Sequence, residues 1–262
     1  MHTAALEAMG LAPEWSYEAI DVSADEFERL VRELPARGYA GVNVTVPHKV
    51  RALAVADGAS AAADAIGAAN TLSFADGGIY ADNTDAAAIA GSVPSVLAGE
   101  RTLVLGAGGS ARAAAWALKD AGASVHIWNR SSARARLLAS ELELIHEPDP
   151  EGVSERTRAY RVIVNATTIG MGTAHEDQPP DESGLADLKA LPLAVDDLDV
   201  GQVVIDLAYG ATDTELSRSA RRAGARVVDG LDVLALQGAA SLRLWTDVDP
   251  PLETMRAAAR AA

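Results

Sequence analysis

The chain has no cysteine, which excludes disulfide bridges, thiolate metal sites and thiol nucleophiles. It also lacks an apolar run long enough to span a bilayer, and its first residues show no charged segment leading into an apolar core. The expectation is therefore a cytoplasmic protein with no membrane partner and no metal site. Positive charge is scarce. Against 37 acidic residues stand 22 lysines and arginines, a net charge of −15, which repels nucleic acid and anionic lipid alike, so neither is expected as a partner. Any basic site must be local. What is present is ordinary for a globular protein: 262 residues, 49% hydrophobic and 23% charged, enough for two domains with cores of their own.

The most informative stretch is residues 102–114. A short apolar run, a buried strand by its pattern, passes at Gly106 into Ala107, Gly108, Gly109, Ser110 and Ala111 and then into an alanine-rich helix. The spacing Gly106-x-Gly108-x-x-Ala111 is the dinucleotide fingerprint: a glycine for the tight turn, a glycine where main chain nears a pyrophosphate, and a small residue for close helix packing. The helix start would aim unpaired N–H groups at the phosphates. A second apolar run, residues 124–128, ends in Asn129, Arg130, Ser131, Ser132, Ala133 and Arg134. An acid at this point pairs with the ribose 2′-hydroxyl of NAD. Here Asn129, Arg130 and Arg134 stand instead, which favours a 2′-phosphate and hence NADP. The plainer alternative is that both arginines decorate a solvated helix start.

Along the rest of the chain, residues 1–10 carry a helical stripe and residues 15–22 alternate like a strand. Residues 23–26 read as the start of a helix through Phe27, Leu30, Val31 and Leu34. Residues 41–46 read as a strand broken by Pro47, 54–66 as helix, and 69–74 with 79–81 as a hairpin about Asp76, Gly77 and Gly78. Residues 86–97 read as a helix, 131–142 as another, and 144–145 as a strand. Further strands are expected at 162–167, 203–207 and 226–228, with a loop over 175–199 and helices at 212–223, 230–245 and 252–262. Strands alternating with helices imply an α/β fold with a doubly wound parallel sheet.

Two polar clusters stand outside the fingerprint: Asn43, Thr45, His48 and Lys49 about Pro47, and Asn70 and Thr71 with Asn83, Thr84 and Asp85. All lie near strand ends, where open α/β sheets place ligands. Read singly, Lys49 and Asp85 are surface charges, Asn43 and Asn83 turn residues, and His48 an ornament of a helix start.

Taken together, these segments with residues 66–71, 106–111, 129–131, 165–167 and 230–237 resemble the shikimate dehydrogenase family over nearly the whole length. The Asn43-to-Lys49 element is the most specific part. The resemblance implies an NADP-dependent enzyme interconverting 3-dehydroshikimate and shikimate, monomeric or homodimeric. It also implies two domains with a cleft between them: a substrate domain over 1–98 completed by 238–262, and a Rossmann-like NADP domain over 99–237. By position, Lys49 and Asp85 become the catalytic pair, Lys49 moving the proton and Asp85 orienting the ammonium and a substrate hydroxyl. Thr45, Asn70, Tyr209 and Gln237 become substrate contacts. Thr167 and Leu207 line the cofactor, and Gly230 leaves room for the nicotinamide. For Gln237 and Tyr209 a packing role stays open, for Leu207 a core role, and for Gly230 a simple turn.

The family's early Ser-x-Ser-Pro element, whose hydroxyls bind the substrate carboxylate, has no counterpart here. Residues 1–4 resemble the helix that follows it. The expectation is weakened shikimate binding and a strained first domain with NADP binding intact. Two alternatives follow: a quinate or shikimate dehydrogenase preferring NAD, and a non-catalytic NADP-binding regulatory protein.

Overall fold

A computed structural model describes residues 1–94, 97–170, 188–210 and 213–261. The chain forms two compact units, Met1–Ala88 with Leu231–Ala262, and Ile89–Gly230. These junctions fall earlier than the positions 98 and 237 expected from sequence. The first lies inside a continuous helix, Thr84–Ser92, and the second at the start of another, Gly230–Thr246.

In the first unit a four-stranded sheet has the order β1-β3-β4-β2, from β1 (Gly41–Asn43), β2 (Gly58–Ala59), β3 (Thr71–Ala75) and β4 (Gly78–Asp82). Strands β3 and β4 form the expected hairpin. Asp76 and Gly77 both take positive φ, 51° and 77°, the two-residue turn whose twist matches that of the strands. Helices α1 (His2–Ala8), α2 (Phe27–Glu33), α3 (Lys49–Val55), α4 (Ala61–Ile66) and the first part of α5 (Thr84–Ser92) belong here. One core gathers Phe27, Val31, Val44, Ala52, Leu72 and Ile79. A second joins Ala5 and Leu6 to Ala235, Leu242 and Met255 of the C-terminal helices.

The second unit holds six parallel strands in the order β10-β9-β8-β5-β6-β7. They are β5 (Arg101–Leu105), β6 (Ser124–Trp128), β7 (Ile145–His146), β8 (Val162–Asn165), β9 (Val203–Asp206) and β10 (Arg226–Asp229). Their order reverses between β5 and β8, the doubly wound arrangement whose ligands sit at the carboxyl ends of the strands at the switch point. Helices α6 (Gly109–Asp120), α7 (Ser132–Leu142), α8 (Pro150–Glu155) and α9 (Glu215–Arg222) connect them. The interior runs of β5, β8 and β9 are buried without a polar face, as a sheet covered on both sides requires. Two further helices return the chain to the first unit, α10 (Gly230–Thr246) and α11 (Leu252–Arg260).

Several sequence expectations need correcting. Residues 15–22 form no strand: Trp15 packs with the second core and Tyr17 stacks on His2 at 3.9 Å, so the alternation serves packing without a pairing neighbour. The strand expected over 41–46 stops at Asn43, where the backbone turns toward the Pro47 loop. The helix expected over 54–66 is interrupted by β2, because Asp57 accepts the Ile79 N–H at 2.9 Å and docks this segment beside β4. The expected helix over 86–97 instead begins at Thr84 and ends at Ser92, since Asn83 Oδ1 accepts the Ala86 N–H and starts it early. The helices expected from 23 and 212 begin at Phe27 and Glu215. The second is capped by the Thr214 hydroxyl, which accepts the Ser217 N–H. Of the expected loop over 175–199, residues 175–187 lie outside those described.

Candidate active site and dinucleotide site

In the first unit the two sequence clusters converge. Lys49 opens α3 and Asp85 lies in the first turn of α5. Lys49 Nζ donates to Asp85 Oδ2 at 2.6 Å, with the two side chains only 12% and 10% exposed. A pair so withdrawn from water is costly to form and more costly to break, because removing either partner strips the other of the opposite charge beside it. The other carboxylate oxygen of Asp85 accepts from Asn70 Nδ2 at 2.9 Å.

Asn70 is the hub of this site. Its Oδ1 accepts the Thr84 N–H at 2.8 Å. Its Nδ2 has three acceptors in range: Asp85 Oδ1 and Thr84 Oγ1 at 2.9 Å, and Gln237 Oε1 at 3.0 Å. Two protons cannot serve three acceptors, so a hydroxyl entering here could complete the set. Gln237 comes from α10 and is itself fixed by a bond from Nε2 to the Leu234 carbonyl at 2.9 Å. Lys49, Asp85, Asn70 and Gln237 are thus one connected polar group. Thr45 stands apart: it is exposed, and its hydroxyl makes no hydrogen bond among the described residues.

A residue that sequence reasoning missed ties this group together. Ser241, wholly buried one turn after Gln237, accepts from Asn43 Nδ2 at 2.7 Å, lies 2.8 Å from Thr71 Oγ1, and donates to the Gln237 carbonyl at 3.0 Å. The signal was a small polar residue four places from Gln237 on an otherwise apolar helix face. His48 is a core residue, stacked on Phe27 at 4.6 Å with Nε2 on the Val22 carbonyl at 3.1 Å. It is no ornament of a helix start. Asn83 is the cap of α5 and also donates to the Ala68 carbonyl at 2.8 Å.

The second unit carries the glycine turn. Gly106 has φ of +119°, and a Cβ there would lie 2.7 Å from the Ala166 carbonyl oxygen, so only glycine lets the β5 and β8 ends approach this closely. A Cβ on Gly108, by contrast, would meet nothing within 4 Å; the space above it is open toward the start of α6. Ala111 is fully buried, which allows the close packing the fingerprint asks for. Ala107, Gly109 and Ser110 complete the turn and the first residues of α6, partly exposed.

At the end of β6, Asn129 Nδ2 donates to the Ser131 carbonyl at 3.1 Å, and Ser131 caps α7 without using its hydroxyl. Arg130 and Arg134 are exposed, and neither guanidinium makes a hydrogen bond or ion pair among the described residues. Two unspent guanidiniums, and no acid at this strand end, fit a phosphorylated ribose.

Thr167 is half-buried; its hydroxyl donates to Asn165 Oδ1 at 2.7 Å and accepts the Ile169 N–H at 3.1 Å. Leu207 is half-buried and Tyr209 exposed. Behind them sits Asp206, fully buried, a second residue missed from sequence. It accepts from Asn165 Nδ2 at 2.8 Å, the Ala208 N–H at 3.2 Å, Ser217 Oγ at 3.3 Å and the Thr214 hydroxyl. Burial holds its carboxyl above the ordinary carboxylate range, and these four donors offset only part of that rise. Gly230 makes room for backbone: a Cβ there would lie 3.0 Å from the Asp206 and Ala208 carbonyl oxygens and 3.1 Å from that of Leu207.

Comparison with known proteins follows the same division. Residues 1–72 match the model of the shikimate dehydrogenase substrate binding domain, 88–174 that of shikimate/quinate 5-dehydrogenase, and 230–260 that of the shikimate 5′-dehydrogenase C-terminal domain. A shikimate dehydrogenase (NADP(+)) of Methanothrix thermoacetophila is 40% identical over 100% of this chain and 91% of its own. The crystal structure of shikimate 5-dehydrogenase from Thermus thermophilus in complex with NADP(H) and shikimate superposes with a TM-score of 0.82 at 38% identity, covering 99% of this chain and 92% of that one. Quinate dehydrogenase from Corynebacterium glutamicum, in complex with NAD, gives 0.79 at 26% identity, covering 100% and 93%. Among the described residues no helix is long and apolar enough to cross a membrane, and no three histidines or carboxylates gather as a metal site.

Proposed function

The chain belongs to the shikimate dehydrogenase family, and from that premise we propose that Lys49 and Asp85 carry proton transfer in the NADP-dependent interconversion of shikimate and 3-dehydroshikimate. It is an oxidoreductase of aromatic precursor synthesis. The observation that carries the assignment of roles is the buried 2.6 Å pair of Lys49 and Asp85 joined through Asn70 to Gln237.

Bound NADP supplies the hydride acceptor in oxidation and, reduced, the donor in the reverse direction. Lys49 then has one task, to hold or take the proton of the reacting hydroxyl. In oxidation its amine removes that proton as the carbonyl forms; in reduction its ammonium returns one to the developing alkoxide. Proton transfer of this kind accounts for about a hundred- to ten-thousand-fold in rate. Asp85 fixes Lys49 Nζ through one oxygen and leaves the other to Asn70 and a substrate hydroxyl. Asn70 and Gln237 offer donors and acceptors to ring hydroxyls, and a substrate lacking one would strand a buried polar atom, which is how such a site selects. Thr45 and Tyr209 are assigned further substrate contacts on the family resemblance, both being exposed.

On the cofactor side, Gly106, Ala107, Gly108, Gly109, Ser110 and Ala111 hold the pyrophosphate over the start of α6. Asn129, Arg130, Ser131 and Arg134 take the 2′-phosphate, and Thr167, Leu207 and Gly230 border the nicotinamide end. Cytoplasmic placement and a monomeric or homodimeric state belong to this proposal too.

The test is turnover of shikimate and of quinate with each cofactor. Shikimate with NADP is expected to give the highest kcat/KM of the four pairs. A higher value for any pair containing NAD would overturn the cofactor assignment, and a higher value for quinate would overturn the substrate.

A further inference from the structure

Strand β7 ends at His146, which lies in register with Ile127 of β6. This places His146 at the carboxyl edge of the sheet, beside the segment that runs from Asn129 to Arg134. Its Nε2 is 3.3 Å from the hydroxyl of Ser132, the first residue of α7. The acid next to it in sequence is not its partner: Glu147 is taken by His126 Nδ1 and by an Arg156 guanidinium nitrogen, each at 2.6 Å. Among the described residues, Ser132 is the side chain that His146 engages.

A hydroxyl has one proton, so the direction of this contact matters. If His146 Nε2 accepts, the Ser132 proton is spent inside the protein, and only lone pairs are left for a ligand. If His146 Nε2–H donates, the Ser132 proton is free to point outward. A phosphate oxygen accepts hydrogen bonds and repels lone pairs, so a phosphate beside Arg130 and Arg134 selects the donating state. We infer that His146 is a positioning residue for the 2′-phosphate of NADP, acting by turning the Ser132 hydroxyl toward it. The inference rests on the cofactor assignment above and adds to it a residue outside the glycine turn and the arginine segment.

Calorimetric titration of the full chain with 2′,5′-ADP, which carries the ribose phosphate, and with 5′-AMP, which lacks it, provides the test. The wild type binds 2′,5′-ADP the more tightly of the two. In His146→Ala and in Ser132→Ala its affinity falls about tenfold, the worth of one hydrogen bond to a charged acceptor, while that for 5′-AMP stays within about twofold. His146→Gln, whose amide Nε2 donates from a similar place, restores binding of 2′,5′-ADP. In turnover, His146→Ala raises KM for NADP by the same factor and leaves kcat and KM for shikimate unchanged. An unaltered preference for 2′,5′-ADP in His146→Ala overturns the inference and leaves the cofactor assignment standing. So does an equal loss for both nucleotides, which would mark general damage to the β7 edge. A wild type that does not distinguish the two nucleotides overturns the cofactor assignment and the inference with it.

Discussion

Replacing Asp85 by asparagine keeps the shape of the side chain and removes its charge. Asn70 Nδ2 can still donate to the amide oxygen, as it does now to Asp85 Oδ1 at 2.9 Å. Lys49, however, keeps an ammonium at a position only 12% exposed, with its 2.6 Å carboxylate partner gone. Removing one member of a buried pair costs about 3 to 5 kcal/mol, and the residual exposure places this case near the lower end, about 3 kcal/mol. That is a large share of a domain's stability of about 5 to 15 kcal/mol, so the variant folds with a clearly lowered urea midpoint. Turnover of shikimate with NADP, followed by nicotinamide absorbance, falls about a hundredfold or more because the ammonium is no longer aimed.

The decisive comparison is the double variant Lys49→Met with Asp85→Asn. With both charges gone no buried ion is left without the opposite charge it had at 2.6 Å, so the double variant is more stable than Asp85→Asn alone while remaining inactive. A double variant less stable than Asp85→Asn, or an Asp85→Asn that keeps the wild-type midpoint and kcat, would refute the reasoning.

Gly106→Ala combines positive φ with a Cβ 2.7 Å from a backbone oxygen, so it lowers stability by about 1 to 3 kcal/mol and weakens NADP binding. Wild-type values in denaturation and fluorescence titration would contradict this. Ser241→Ala deprives Asn43 Nδ2 of its 2.7 Å acceptor and costs about 1 to 3 kcal/mol; KM for shikimate rises, KM for NADP does not, and equal rises in both would argue against a role in the first unit alone. Burial, aided by the nearby amino terminus, pushes His2 from 6.5 down to about 4. The folded chain thus stays neutral there while the unfolded chain takes up a proton below 6.5. Stability is full above that pH and falls by about 3 kcal/mol on the way down to 4. The urea midpoint of His2→Gln should be flatter over that window, and an equal slope would exclude this source.

The second unit was legible in the sequence because its parts are local. The β5 run, the glycine turn and α6 follow one another, and buried parallel strands announce themselves as apolar runs bounded by turns. The hairpin about Asp76 and Gly77 was legible for the same reason, two positive-φ positions side by side. The first unit was harder. Residues 15–22 alternate as a strand does, but alternation fixes only which side chains turn inward, not whether a partner strand is at hand. Lys49, Asn70 and Asp85 stand in polar clusters near strand ends in the sequence, but Gln237 and the roles of all four come only from the family resemblance until the fold joins them. Ser241 offers no more in sequence than its four-residue spacing from Gln237, and Asp206, at the end of a buried strand, offers no periodic signature at all. Their importance lies in how many donors and acceptors converge on them, which is a tertiary fact. Gly230 is legible as a place that needs room, but the three carbonyl oxygens that crowd it are a tertiary contact with no sequence pattern of its own.

The central claim is that Lys49 moves the proton. Single-turnover oxidation of shikimate by the Lys49→Met variant, with NADP and shikimate both saturating, tests it most directly. The account predicts a rate lowered by about a hundred- to ten-thousand-fold with shikimate affinity retained within about tenfold. A variant that binds shikimate and oxidises it at the wild-type rate would contradict it.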